Sequence, residues 1–316
     1  MNYSMDNKIW RVGGPLFAYL AINFAVQMVF SIWIFYMQFN EWSIDAAFNG
    51  LLYAQQLGET EKIYSVAMSG VSAIIAIPVF AVLLKKDYEY PVNRRHKERR
   101  FVFKRHFKEF DKSYVPMLIL AGVFATIGLS RLLLMLPFDG ILGDYSEVKA
   151  AYEAGSVWIQ FIVLGVLTPV VEEMLFRGLV YNRLKIYYDV TIAAYISALI
   201  FAIAHFNLIQ GIYAFIMGII FNLLYEKCRS IYAPVILHIA TNLAAVITSV
   251  NPVSEWIEGH VWVRIPLALV WTAVFVLCVM YVYKKAEKAE QNNTGSDKND
   301  NEKSDKREIS KIDFHI

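Results

Sequence analysis

Glu172 and Glu173 adjoin each other in the segment Pro169-Val-Val-Glu172-Glu173-Met-Leu-Phe176-Arg177-Gly178, within an otherwise largely apolar stretch. On a helix, Glu173 and Arg177 share one face at i and i+4, which permits an ion pair. Glu172 lies about 100° round the helix and is left for other work. Pro169 removes one backbone hydrogen bond; in an α-helical register this exposes the carbonyl of Gly165 and predicts a kink one turn before the acids. Two imidazole-bearing segments follow, Phe201-Ala-Ile-Ala-His205 and His238-Ile-Ala-Thr-Asn242. His238 and Asn242 are again four apart and present polar groups to one side. Carboxylates and imidazoles gathered beside a kinked, wet helix suit proton transfer.

The elements that carry these residues are membrane helices. Of the 316 residues, 57% are hydrophobic and 18% charged, and the mean hydropathy is +0.41. A soluble domain averages about 45–50% apolar and about 25% charged. Charge is also unevenly placed: eleven of the 30 Lys and Arg lie in 85–112 and eight in 284–316. This excludes an ordinary soluble enzyme, a disordered scaffold and a nucleic-acid-binding domain. The expected fold is all-α, a polytopic membrane helix bundle. Apolar runs at 15–39, 64–84, 114–137, 157–181, 191–207, 209–225, 231–250 and 262–283 predict about eight transmembrane helices. The first run is too long for the apolar part of a cleaved signal and reads as a permanent span. Cys228 and Cys278 imply neither a disulfide framework nor a cysteine-based zinc site.

Three regions are expected. Residues 1–112 form an N-terminal transmembrane pair with a basic loop, 113–283 a transmembrane core, and 284–316 a disordered charged tail. The basic 85–112 loop reads as a topology determinant on the inner leaflet, in contact with membrane lipid. The positive-inside bias then puts both termini in the cytoplasm of a multi-pass cell-membrane protein. Tyr145, Val148 and Tyr152 suggest an interfacial helix over 141–153 on the outer face.

An ionisable side chain at a helix centre in lipid costs at least about 2.5 kcal/mol on insertion scales. An acid pair and two imidazoles on three nearby helices therefore point to a site. Residues 172 and 205 sit equally far from the polar turn at Tyr188–Asp189, which predicts that Glu172 and His205 lie at similar depth on adjacent antiparallel helices. Glu173 and Arg177 are expected to be structural, and Phe201 to pack.

With these residues in view, the chain resembles the CPBP family of intramembrane proteases, also called the Abi or type II CAAX prenyl endopeptidase family. The family pattern of EExxxR, FxxxH and HxxxN on successive helices reads here as Glu172-Glu173-Met-Leu-Phe-Arg177, Phe201-Ala-Ile-Ala-His205 and His238-Ile-Ala-Thr-Asn242. The resemblance covers about 157–250. It implies hydrolysis of a peptide bond inside the membrane, near its cytoplasmic side. Glu172 would then activate a water, His205 would assist or hold that water, and His238 and Asn242 would stabilise the oxyanion. Glu173 and Arg177 would shape the site. A carboxylate in a low-dielectric pocket becomes a stronger base, and donors aimed at a developing oxyanion are worth about 3–4 kcal/mol.

The family is also described as metalloproteases. Glu172, His205 and His238 could give zinc three N/O ligands and leave a fourth position for water. Against this, there is no H-E-x-x-H, and one acid cannot readily serve as both ligand and sole base, although Glu173 could take the second part. The expectation adopted is a metal-free glutamate mechanism without a cofactor, with zinc as the alternative. The partners implied are membrane lipid and a peptide or membrane-protein substrate, with no nucleic acid. A CAAX-type end, a peptide pheromone and a bacteriocin precursor remain open as substrates. The competing functions are a non-catalytic membrane scaffold or bacteriocin self-immunity protein that binds a membrane partner and, less favoured, a transporter using a proton relay.

Overall fold

The computed structural model describes residues 5–39, 50–89, 110–135, 156–249, 251, 256–257 and 259–312. Among these there are eight principal helices and no strand. Helix α1 is Met5–Phe39 and α2 is Gly50–Glu89. Helix α3 runs Lys112–Leu133 and α4 runs Val157–Leu184. They are followed by α5 (Val190–Ile203), α6 (Leu208–Cys228), α7 (Tyr232–Ser249) and α8 (Val261–Ile312).

Seven of the eight are long and apolar enough to cross a bilayer. The chain is a multi-pass membrane protein with a helical bundle, as its composition requires. The exception is α5. The 191–207 run was expected to span, but its helix has 14 residues, about 21 Å of rise against a hydrocarbon core of about 30 Å. The reason is local. The helix ends at Ile203, Phe206 takes a left-handed φ of 52°, and Asn207 Oδ1 accepts from the Gln210 backbone N–H at 3.0 Å to cap α6. His205 therefore sits in a turn within the bundle instead of on a helix face.

The helix ends are tied together on one face. Arg183, at the end of α4, donates from Nε to Asp87 of α2 at 2.6 Å and from Nη1 to the Arg11 carbonyl of α1 at 2.5 Å. Lys185 pairs with Glu226 of α6, and Arg229 pairs with Glu290 of α8. Lys285 of α8 donates to Ser113 at the start of α3, 2.7 Å. The same face thus holds the first turns of α1 and α3 and the last membrane turns of α2, α4, α6 and α8.

These contacts also correct the expectation of a tail disordered from 284. Helix α8 continues without a break through 284–292 to Ile312. Its first charged turns are docked, because Glu287 and Glu290 meet Lys227 and Arg229. The proposed interfacial helix over 141–153 and most of the basic loop lie outside the described residues.

Small residues let the helices close on one another around the site. A Cβ on Gly122 of α3 would stand 2.5 Å from the Ala240 Cβ and 2.8 Å from the Leu237 carbonyl of α7. Thr126 of α3 donates from Oγ1 to the Thr241 carbonyl at 2.8 Å. Helix α7 is thereby fixed against α3, with its other side toward α4.

Candidate active site

Helix α4 changes pitch twice around the acids. Residues Val163–Leu167 are π-helical, Thr168–Glu173 are α-helical, and Met174–Tyr181 are π-helical again. Such wide turns inside a helix are uncommon and concentrate at functional sites. The first one answers Pro169. The Thr168 N–H donates to the Val163 carbonyl, five residues back. In that register residue 169 would serve Leu164, and proline has no N–H to offer. The carbonyl in question is therefore Leu164's, one residue before the Gly165 expected from an α-helical register.

The acids separate as their positions on the helix dictate. Glu173 is fully buried, and its Oε1 accepts from Arg177 Nη1 at 2.9 Å. Arg177 is equally buried, with its guanidinium carbon 4.7 Å from the ring centres of both Phe201 and Phe221. Its Nη2 also reaches the Gly218 carbonyl at 3.4 Å. A planar guanidinium between two rings is a cation–π clamp that a lysine ammonium cannot reproduce. Glu172 points elsewhere, and its side chain keeps 16% of its exposure.

His238 links the two carboxylates. Its Nδ1 lies 2.8 Å from Glu173 Oε1 and its Nε2 lies 3.6 Å from Glu172 Oε2. The ring stacks on Phe221 at 4.8 Å and 28°. The buried Glu173 thus anchors one ring nitrogen and aims the other at Glu172. The second distance exceeds a hydrogen bond, so Nε2 is near Glu172 without being locked to it.

The other two expected residues are placed differently. His205 turns Nδ1 onto the carbonyl of Phe201 at 2.8 Å, and its ring stands edge-on to Phe201 at 4.8 Å. Phe201 packs as expected, and it also contacts His238 at 6.0 Å, so it stands against both imidazoles. Asn242 donates from Nδ2 to the Leu164 carbonyl at 2.9 Å. The structure therefore brings Glu172, Glu173, Arg177 and His238 into one network, with His205 beside it and Asn242 holding the backbone of α4.

For zinc, the required donors are Glu172, His205 and His238. Among the described residues no three His, Cys, Asp or Glu side chains are close enough to share one ion. Glu172 and His238 approach each other, and His205 does not complete the set. As the side chains stand, the donors do not fit a three-ligand metal centre.

Two participants carried no motif in the sequence. Phe221 belongs to an apolar run, and only its spacing from Gly218 marks the α6 face that meets Arg177. Tyr19 of α1 packs on the core and lies within electrostatic range of Glu172. Nothing in the apolar stretch of α1 around it distinguishes it in advance.

The comparisons with known proteins fall on this same region. The profile of the type II CAAX prenyl endopeptidase Rce1-like family matches residues 154–244, which contain all three motifs. A Bacillus subtilis (strain 168) protein named "Putative membrane peptidase YdiL" is 30% identical over 103 residues, 33% of this chain and 42% of that protein. The chain thus spans less than half the length of that relative. No solved structure matches. Over residues 154–244, the segment that builds the Glu172–His238–Glu173–Arg177 network, the chain is similar to the type II CAAX prenyl endopeptidase Rce1-like family.

Proposed function

We propose that the protein is an intramembrane endopeptidase in which Glu172 is the general base. One observation carries this reading: a partly exposed carboxylate faces an imidazole that a second, fully buried carboxylate holds in place. Glu172 takes a proton from a water, and the resulting hydroxide attacks the peptide carbonyl. His205, whose Nδ1 rests on the Phe201 carbonyl of α5, keeps Nε2 for holding that water. In its imidazolium form, His238 donates from Nδ1 to Glu173 and from Nε2 toward the oxyanion. When the C–N bond breaks, Glu172 returns the proton to the leaving amine.

Glu173 and Arg177 do no bond chemistry in this scheme. Their pair positions His238, and Phe201 and Phe221 position Arg177. In this reading the mechanism is the glutamate type, and the separation of His205 from Glu172 and His238 supports it over a three-ligand zinc centre. The substrate is a peptide segment that reaches the bilayer: a CAAX-type end, as the family description names, or a pheromone or bacteriocin precursor. Cleavage near the cytoplasmic side is what the resemblance implies, and the positive-inside bias supports taking the ionic face as cytoplasmic.

The reading predicts that Glu172→Gln and His205→Ala each abolish cleavage in proteoliposomes while inserting at normal levels. Full activity in either variant would remove that residue from the mechanism.

A further inference from the structure

The resemblance gives Asn242 to the oxyanion, but the structure uses its amide on the protein's own backbone. We infer that Asn242 is a positioning residue: it closes the hydrogen-bond gap that Pro169 leaves at Leu164 and so fixes the turn of α4 that carries Glu172.

The register of α4 makes the gap specific. Thr168 N–H bonds the Val163 carbonyl five residues back, and the next bond in that series would run from residue 169 to Leu164. Pro169 cannot form it. A carbonyl left open in the membrane needs another donor, and a neighbouring helix is the usual source. Asn242 Nδ2 stands 2.9 Å from that oxygen. One turn earlier on α7, His238 reaches Glu173 and Glu172. Helices α4 and α7 run in opposite directions, so the two α7 side chains grip α4 on either side of Pro169. Behind them, Thr126 holds the Thr241 carbonyl, and the missing Cβ of Gly122 lets α3 press on α7. The grip therefore has a fixed base.

A second proline in the bundle is handled the same way. Pro15 lies inside α1 and leaves the Arg11 carbonyl, four residues back, without its helical donor. Arg183 Nη1 from α4 stands 2.5 Å from that oxygen. In both helices the proline stays and a side chain from another helix supplies the bond.

The effect on catalysis rests on Glu172 being the base; the hydrogen bond itself does not. A double-mutant cycle separates the two. Pro169→Ala restores an N–H that can serve Leu164. The four proteins (wild type, Asn242→Ala, Pro169→Ala and the double variant) are purified in detergent. Their melting temperatures, Glu172-dependent cleavage and cleavage pH profiles are then compared. The expected result is that Asn242→Ala lowers the melting temperature and cuts cleavage about tenfold when Pro169 is present, and changes both far less in the Pro169→Ala background. The acid limb of the pH profile moves in Asn242→Ala and returns in the double variant. Should Asn242→Ala fold poorly, recovery of folded yield in the double variant supports the inference, and no recovery overturns it. Equal losses in both backgrounds also overturn it and return Asn242 to the substrate. Coupled melting temperatures with no Glu172-dependent cleavage in wild type support the tether and contradict the protease reading alone.

Discussion

The division of labour between two adjacent carboxylates comes from 100° of helix rotation. Glu173 turns inward, where a full charge is tolerable only because Arg177 and His238 both meet its Oε1. Breaking a buried pair by removing one partner typically costs about 3–5 kcal/mol, since the remaining charge is left uncompensated. Arg177→Ala is therefore expected to reduce folded yield and lower the melting temperature in detergent. Arg177→Lys should restore little, because the ammonium cannot lie flat between Phe201 and Phe221. Normal folded yield with lost cleavage in Arg177→Ala would move Arg177 from support to direct chemistry. The i, i+4 spacing foretold this pair. It could not foretell that His238 would bridge both acids, because that contact depends on how α7 packs on α4.

At the scale of elements, hydropathy located seven of the eight helices as crossings and misjudged α5. An apolar count over 191–207 does not register the turn inside it, where Phe206 adopts a left-handed backbone and Asn207 leaves α5 to cap α6. A signal was present, since an asparagine before an apolar run marks a helix start. Loss of such a cap costs about 1 kcal/mol. Asn207→Ala should thus lower the melting temperature by a few degrees, and Asn207→Ser should recover much of that loss. An unchanged melting temperature in Asn207→Ala would show that the α5–α6 turn is held by other contacts. The changes of pitch in α4 were legible only as a proline before two acids. Which carbonyl the proline frees depends on a π register that sequence spacing does not reveal.

At the scale of the whole molecule, the ionic contacts that join helix ends among the described residues gather on one face. Arg183–Asp87, Lys185–Glu226, Arg229–Glu290 and Lys285–Ser113 join helix ends that alternate in direction through the bundle. Composition had marked 284–316 as disordered because its eight basic and eight acidic residues offer little to bury. The structure instead docks the start of that segment, since Glu287 and Glu290 find Lys227 and Arg229 at the end of α6. On the positive-inside bias we propose that this face is cytoplasmic. A cysteine placed at Lys288 should then react with a membrane-impermeant thiol reagent only after the cells are opened. Labelling of intact cells would reverse the orientation.

The central claim is that Glu172 drives peptide-bond cleavage in the membrane. Its most direct test compares new peptide termini in membranes and medium from cells carrying wild type or Glu172→Gln at matched protein levels. The account predicts at least one terminus present with wild type, absent with Glu172→Gln, and regenerated when purified protein meets the uncleaved peptide in proteoliposomes. Identical termini from both strains across growth conditions would contradict it and leave a membrane scaffold that carries an unused site.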